Sequence, residues 1–432
     1  MQRGESTISR RRFLAAGARG SAALGLGLFG GVTAVPIAHA AGADDFGSLL
    51  PPDANGLRLP PGFSSRIVAQ TSVQVGTTGH TWHTLPDGGA TFATGDGGWV
   101  YVSNSEASNQ QGGVGAIRFA ADGAILDAYS ILSGTSRNCA GGPTPWNTWL
   151  SCEETSTGRV WECDPLTPGS EGTVLPALGR FQHEAAAVDP INQRVFLTED
   201  RPDSLLYRFT PTAYPDLSAG VLEAAEILED PDEPGAIVPG ETRGLAWHVV
   251  PDPDGSPVQT RAQVSAATTF NGGEGIWYES GRIVFSTKHD NRIWEIDTTS
   301  DEIGILYDFA TAPVNPLSGV DNVFIASTGD VYVAEDGGDM EIVALTPSGQ
   351  VRPIIQITGQ PTSEVTGPAL SPDGTRLYFS SQRTPGTTYE VTGPFTAPTV
   401  PIGGGVAQLL LFASMSWLGG TTASATHDPH KR

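Results

Sequence analysis

At 432 residues the chain has ample length for a core, and 54 Gly and 33 Pro against 16% charged residues make it turn-rich and too polar for a membrane channel. A formal net charge of −23 sets it against nucleic acid, whose phosphate backbone repels an acidic partner. Such acidity serves either general solubility or the gathering of carboxylates around cations, and composition does not choose between the two.

Residues 1–40 read as an export signal. Ser9-Arg10-Arg11-Arg12-Phe13-Leu14 precedes an Ala/Gly/Leu-rich run that ends at Ala38-His39-Ala40, a small-residue cleavage pattern. Pro36 and the weak apolarity of the run argue against a membrane helix. The layout is similar to twin-arginine signals, a route that carries proteins already folded and often loaded with a cofactor, so a metal acquired in the cytoplasm is plausible. Removing the signal takes the net charge to −27. Residues 41–60, with Pro51-Pro52 and Pro60-Pro61, read as a linker or an N-terminal strap.

Residues 61–400 carry a repeat. WVYVSNSE (99–106), TWLSCEET (148–155), VFLTEDRP (195–202), IVFSTKHD (283–290), VYVAEDGG (331–338) and LYFSSQRT (377–384) are apolar strands that end in polar residues. With Tyr101, Trp149, Phe196, Val284, Tyr332 and Tyr378 as markers, the intervals are 48, 47, 88, 48 and 46 residues. That period, turns such as Pro372-Asp373-Gly374 and the lack of helical periodicity predict an all-β propeller of four-stranded blades. Six blades are favoured, with seven as the alternative, because the double interval hides either an insertion or a further blade. GLAWHVVPDPDG (244–255) has strands for either.

Ten to fourteen residues before each marker lies the turn into the preceding, innermost strand. Cys139, Glu184, Glu274, Asp321 with Asn322, and Glu364 fall at this phase. Acidic residues at turns are ordinarily turn formers, but Gly, Ser or Asn would serve as well, and the recurrence at one phase favours delivery to a common axial mouth. Carboxylates that converge so closely cannot all stay ionised without a counter-charge. Oxygen ligands suit calcium or magnesium and a thiolate suits iron or zinc, so the mixture suggests a mixed cluster.

Three cysteines are an odd count for an exported chain. Cys152 and Cys163 bracket a hairpin-like stretch with Ser156-Thr157-Gly158 near its middle, and a cross-strand disulfide is the expectation. Cys139 is then free, and metal ligation would protect it. The alternatives are a simply buried Cys139 or a Cys139–Cys152 pair.

Five segments together carry a family resemblance: NCAGGPTPWNTWLSCEE (138–154), RFQHEAAAVDP, GGEGIWY, GVDNVFIASTGDVYVAEDGG and SEVTGPALSPDGTRLYFSSQR. In that order, over residues 60–385, they resemble the PhoX family of alkaline phosphatases. The resemblance implies a six-bladed propeller whose axial site holds iron and calcium and hydrolyses phosphomonoesters. It implies Cys139 as an iron ligand and Glu154 as a metal-binding glutamate. Glu184, Glu274, Asp321 or Asn322, Glu335 or Asp336, and Glu364 fall on further acidic positions. Asn104 would contact phosphate. The chain departs from the family pattern at Ser105, where a histidine is usual, and at Arg383, where Gln-His is usual. Arg383, Arg201 and Lys288 are the candidates for a cationic phosphate clamp, whose loss would weaken charge stabilisation.

No Gly-x-Ser-x-Gly elbow, Walker loop or His-Glu-x-x-His motif is present. Metal-assisted hydrolysis accounts for that gap. The expectation is a periplasmic, cell-envelope or secreted phosphatase. It would act as a monomer on a small phosphomonoester, with the twin-arginine machinery as its export partner, no nucleic acid and no stable membrane span. The alternatives are a calcium-dependent lactonase or esterase propeller, or a non-catalytic exported binding propeller. Residues 401–432 hold an apolar run around Leu409 that is short for a membrane span, in a tail with no assigned role.

Overall fold

The computed structural model describes residues 43–395, apart from 230–235, 314–315 and 384. The expected signal and the C-terminal tail lie outside the described residues. Within them there is no α-helix, and no helix is long and apolar enough to cross a membrane. The chain is all-β and propeller-like in arrangement.

Short strands joined by tight turns form antiparallel meanders. The first is Pro86–Ala93, Trp99–Ser105, Gly112–Phe119 and Ile125–Thr135; the second is Asn138–Pro143, Trp149–Glu153, Val160–Cys163 and Thr173–Val174. A nine-stranded sheet joins two further meanders, one beginning at His183–Asp189 and the other at Gly273–Glu279. The next begins at Val320–Ile325 and takes Leu57–Arg58 on its outer edge, beside Val351–Ile357. The last begins at Val365–Leu370 and is completed by Ser64–Gln70 from the other end of the chain, paired with Thr387–Thr392. The first strands of these meanders neighbour one another in a closed ring.

The double interval of the repeat contains a bridge. Thr242–Val249 pairs with Asp216–Ile227 on one side and with Glu302–Asp308 on the other, so the described part of this segment adds one strand, not a meander.

Alternation along each strand distributes side chains to the two neighbouring sheets. Tyr332 packs with Ile342, Leu377 and Phe379, whereas its chain neighbours Val331 and Val333 pack with Val284 and Ile293. Tyr101 stacks on Tyr378 at a centroid distance of 4.9 Å, joining the first and last sheets. Each fully buried side chain of this size contributes about 1.5–3 kcal/mol.

The same alternation overturns the expected disulfide. Cys152 is opposite Val160 and Cys163 is opposite Trp149, three positions along the strand, so the two thiols face opposite sides of the sheet. Cys152 packs with Leu150, Val160 and Tyr207, and Cys163 with Trp149, Val102 and Leu132. All three cysteines are free. The hairpin-like spacing is real, but it does not specify which face each cysteine takes.

One irregularity repeats in every innermost strand. The register slips by one residue between Pro86 and Gly89, Asn138 and Gly141, His183 and Ala186, Gly273 and Ile276, Val320 and Val323, and Thr366 and Ala369. Such bulges re-aim a side chain. The first residues inside them are Asp87, Cys139, Glu184, Glu274, Asp321 and Gly367. The second residue is often small because the strands approach closely: a Cβ on Gly275 would lie 2.6 Å from the Asn322 Cα. The axial space lined by these second residues is only about 20 Å³.

Candidate metal centre

The bulges bring the sequence-predicted ligands together. Cys139, Glu154 and Glu184 form one group, Glu184, Glu274 and Asp321 a second, and Asp87, Glu106 and Glu364 a third, with ligand atoms within 4.8 Å of one another in each. Glu184 belongs to two of them. Asp87, Glu184, Glu274 and Asp321 are 1–4% exposed, and each leaves an innermost strand at its bulge. Glu106 and Glu154 follow the second strands of their meanders, and Glu364 precedes its innermost strand.

Burial first, and then neighbouring carboxylates, push the acids of this cluster upward. Asp321 rises to about 7, Glu154 to about 8 and Glu364 to about 10. Asp87, Glu184 and Glu274 are raised well above the ordinary carboxylate range for the same reasons. Removal from bulk solvent, with Asp87 and Glu184 nearby, also raises the Cys139 thiol, whose Sγ lies 3.6 Å from Asp87 Oδ2. This set is therefore a proton reservoir unless a cation replaces the protons.

Three basic side chains meet its rim. Lys288 Nζ lies 2.8 Å from Asp336 and 3.4 Å from Glu274. Arg383 Nη2 donates to Glu364 at 2.8 Å and Nη1 lies 3.6 Å from Asp336. Arg137 bonds Glu106 at 2.9 Å and also pairs with Glu154. Gln382 donates through one amide nitrogen to Asp87 at 2.7 Å and Glu106 at 2.9 Å.

The donors fit metal ions on an observation internal to the site. Glu184 Oε1 is buried and has no hydrogen-bond or ion-pair partner among the described residues. A buried carboxylate oxygen without a partner costs about 1–3 kcal/mol or more, which ligation would offset. Thiolate and carboxylates on one side suit a softer transition metal, and the all-oxygen groups suit a hard divalent cation.

Other predicted residues have different surroundings. Asn104 is fully buried, donates to the Cys139 and Ala140 carbonyls at 3.2 and 2.7 Å, and accepts from Trp149 and Ser151 at 2.9 and 3.0 Å. Its amide is spent on holding the Cys139 bulge and has no donor left for phosphate. Asn322 donates to Asp321 at 2.9 Å and accepts the Gly367 N–H at 2.6 Å, a strut between adjacent strands. Glu335 accepts the Ser318 and Glu341 N–H groups at 2.8 and 3.2 Å and joins none of the three groups. Asp336 orients Lys288 and Arg383. Arg201 lies to one side, with Nη1 on Gln182 at 3.0 Å.

Asp87, Glu106, Arg137 and Gln382 escaped the sequence reading. Asp87 lies 14 residues before Tyr101, within the phase that located the others, and Glu106 lies five beyond Tyr101, as Glu154 does beyond Trp149. Nothing local marks Arg137 or Gln382.

Fold and site together define an all-β, propeller-like protein with a carboxylate-rich axial centre. The sequence profile described as alkaline phosphatase PhoX matches residues 62–161, 156–304 and 297–386, and the chain belongs to that family. Membership implies a metal-dependent phosphatase acting on a small-molecule substrate. Pseudomonas fluorescens PhoX, solved with vanadate as a transition state analogue, superposes with a TM-score of 0.67 at 15% identity, over 81% of this chain and 98% of that one. At that identity the likeness is one of fold. A Xanthomonas campestris gluconolactonase is similar at a TM-score of 0.43 and 13% identity, over 80% of this chain and 98% of that one. A Bacteroides thetaiotaomicron protein of unknown function reaches 0.47 at 10% identity, over 79% and 84%. No curated protein matches the chain by sequence.

Proposed function

We propose that the chain hydrolyses phosphomonoesters at an iron and calcium centre on the axis of a six-bladed propeller. The observation that carries this is Glu184, whose carboxylate is shared between a thiol-containing group and an all-carboxylate group and keeps a buried oxygen unpartnered. The closed ring of innermost strands supports six blades over seven.

Cys139, Glu154 and Glu184 would hold the softer metal, and Glu184, Glu274, Asp321, Asp87, Glu106 and Glu364 the calcium ions. Bound metals supply Lewis acidity and a water of lowered pKa. Lys288, Arg383 and Arg137, at the rim, would exchange the carboxylates they now pair with for phosphate oxygens. Glu274, Asp321 and Asp336 keep Lys288 charged against the cost of its burial, and Asp336 holds the two cations of that side in register. Asn104 acts as a positioning residue for the Cys139 strand. Export by the twin-arginine route, with residues 1–40 removed and 61–400 forming the catalytic body, completes the reading.

The test is elemental analysis of protein exported through its own N-terminal segment, with p-nitrophenyl phosphate turnover by wild type, Cys139→Ala and Glu274→Ala. Iron with calcium, and turnover lost in both folded variants, is expected. Retained turnover in either would sink the proposal, and hydrolysis of lactones without phosphate release would replace it with the lactonase reading.

A further inference from the structure

Beside the carboxylate centre lies a cavity of the opposite charge. It has a volume of about 90 Å³ and is lined by Ser156, Arg180, Gln182, Arg201, Gln259 and Arg261 among others. That is about three times the share of one water in the liquid, enough for a single compact anionic group. Three guanidinium groups around one small space run against the net charge of −23.

Two of the three have no carboxylate partner. Arg180 forms no ion pair among the described residues; Asp254, which is lowered chiefly by Arg159 and to a lesser extent by Arg180, is itself paired with Arg159. Among the described residues the Arg201 guanidinium donates to Gln182 Oε1 alone, and its Nε is buried without a partner. Arg261 is fixed by Glu199 at 3.0 Å and Asp203 at 3.1 Å, which sets its planar fork in the wall. A buried guanidinium N–H without an acceptor is costly, and an anion would satisfy it.

The cavity is one side chain away from the centre. Gln182 donates to Glu154 Oε1 at 3.3 Å and accepts from Arg201 Nη1 at 3.0 Å, so a single amide spans the boundary. Gln259 and Arg261 come from the segment that fills the double interval of the repeat, held by Gln263 bonding the Asp252 carbonyl at 2.8 Å.

From this arrangement we infer that the cavity is a second anion subsite, and that the preferred substrates are phosphomonoesters carrying a further phosphate or carboxylate group. The inference rests on the phosphatase reading above. Arginine forks match the planar or tetrahedral oxygens of both groups.

The experiment uses metal-loaded, full-chain protein. Turnover of fructose bisphosphate and of phosphoglycerate is compared with that of fructose monophosphate and p-nitrophenyl phosphate, in wild type, Arg180→Gln and Gln259→Glu. Wild type should favour at least one doubly anionic class by about tenfold or more in kcat/KM, and the two substrates separate a phosphate from a carboxylate preference. Both variants should lose that preference through KM while p-nitrophenyl phosphate turnover stays unchanged. Equal handling of singly and doubly anionic substrates by wild type, or an unchanged ratio in Arg180→Gln, would overturn the subsite. Should wild type turn over none of the four, the phosphatase reading fails. Calorimetric binding of fructose bisphosphate then decides the subsite separately: loss in Arg180→Gln supports it and equal binding rejects it.

Discussion

The Glu184 carboxylate lies within 4.8 Å of the Cys139 sulfur, and within the same distance of the ligand atoms of Glu274 and Asp321. Adjacent innermost strands supply Cys139 and Glu184, each from the first position of its bulge. One side chain thus couples the soft and hard halves of the centre.

Glu184→Gln should therefore lower the content of more than one metal. Turnover is expected to fall at least about a hundredfold, as for other lost electrostatic groups. The metal-free variant should be about as stable as metal-free wild type, because burial and neighbouring carboxylates already favour the neutral form of Glu184 there. Metal content with thermal denaturation, with and without chelator, checks both statements. Loss of a single metal species would place Glu184 in one group only.

Asn104→Ala should act on stability and on the Cys139 site, not on phosphate affinity. It removes the side-chain partner of the Ala140 carbonyl and the Trp149 indole and leaves the Ser151 hydroxyl only its bond from Asn138, at a cost of about 1–3 kcal/mol. Under a positioning role kcat and metal retention fall while KM for p-nitrophenyl phosphate changes little. A large rise in KM with full metal content would restore Asn104 as a substrate contact.

Gly275→Ala tests the bulge geometry. Its Cβ would sit 2.6 Å from Asn322 Cα, a backbone atom that cannot move without shifting the next innermost strand. Overpacking of this kind costs about 1–3 kcal/mol. Because Gly275 follows Glu274 inside the same bulge, metal content should fall with the melting temperature. Unchanged values of both would contradict the close approach of the two strands.

His83 sets an acid limit. Its ring lies against Trp82 at 4.3 Å, its Nδ1 has no partner, and burial together with His80 lowers its pKa to about 3. The folded state therefore keeps it neutral while the unfolded chain protonates near 6.5. Its contribution is complete above pH 6.5 and is lost at about 1.4 kcal/mol per pH unit as pH falls from there towards 3. Relative to His83→Gln, wild type should lose about 2 kcal/mol between pH 7.5 and pH 5, read from denaturant midpoints. A constant difference across that range would show that the ring titrates alike in the folded and unfolded chain and would overturn the depressed value.

By itself the sequence determined the repeat, the all-β build and the phase at which acidic residues and Cys139 recur. These are local properties: strand and turn return with the chain every 46 to 48 residues, with one double interval of 88, and a potential ligand recurs near the same point of the return. Asp87 obeys the same phase and Glu106 repeats the offset of Glu154 from its marker, so both were equally legible. What only the tertiary structure decided are relations across sheet boundaries. Strand register sends Cys152 and Cys163 to opposite faces, ring closure brings Gln382 to Asp87, and the bridging segment brings Arg261 to Arg201. Asn104 shows the limit most directly, since its motif has the look of a substrate contact while its four hydrogen bonds go to the first two strands of the neighbouring meander. Which side chain meets which is set by packing between distant segments, and no local spacing encodes it.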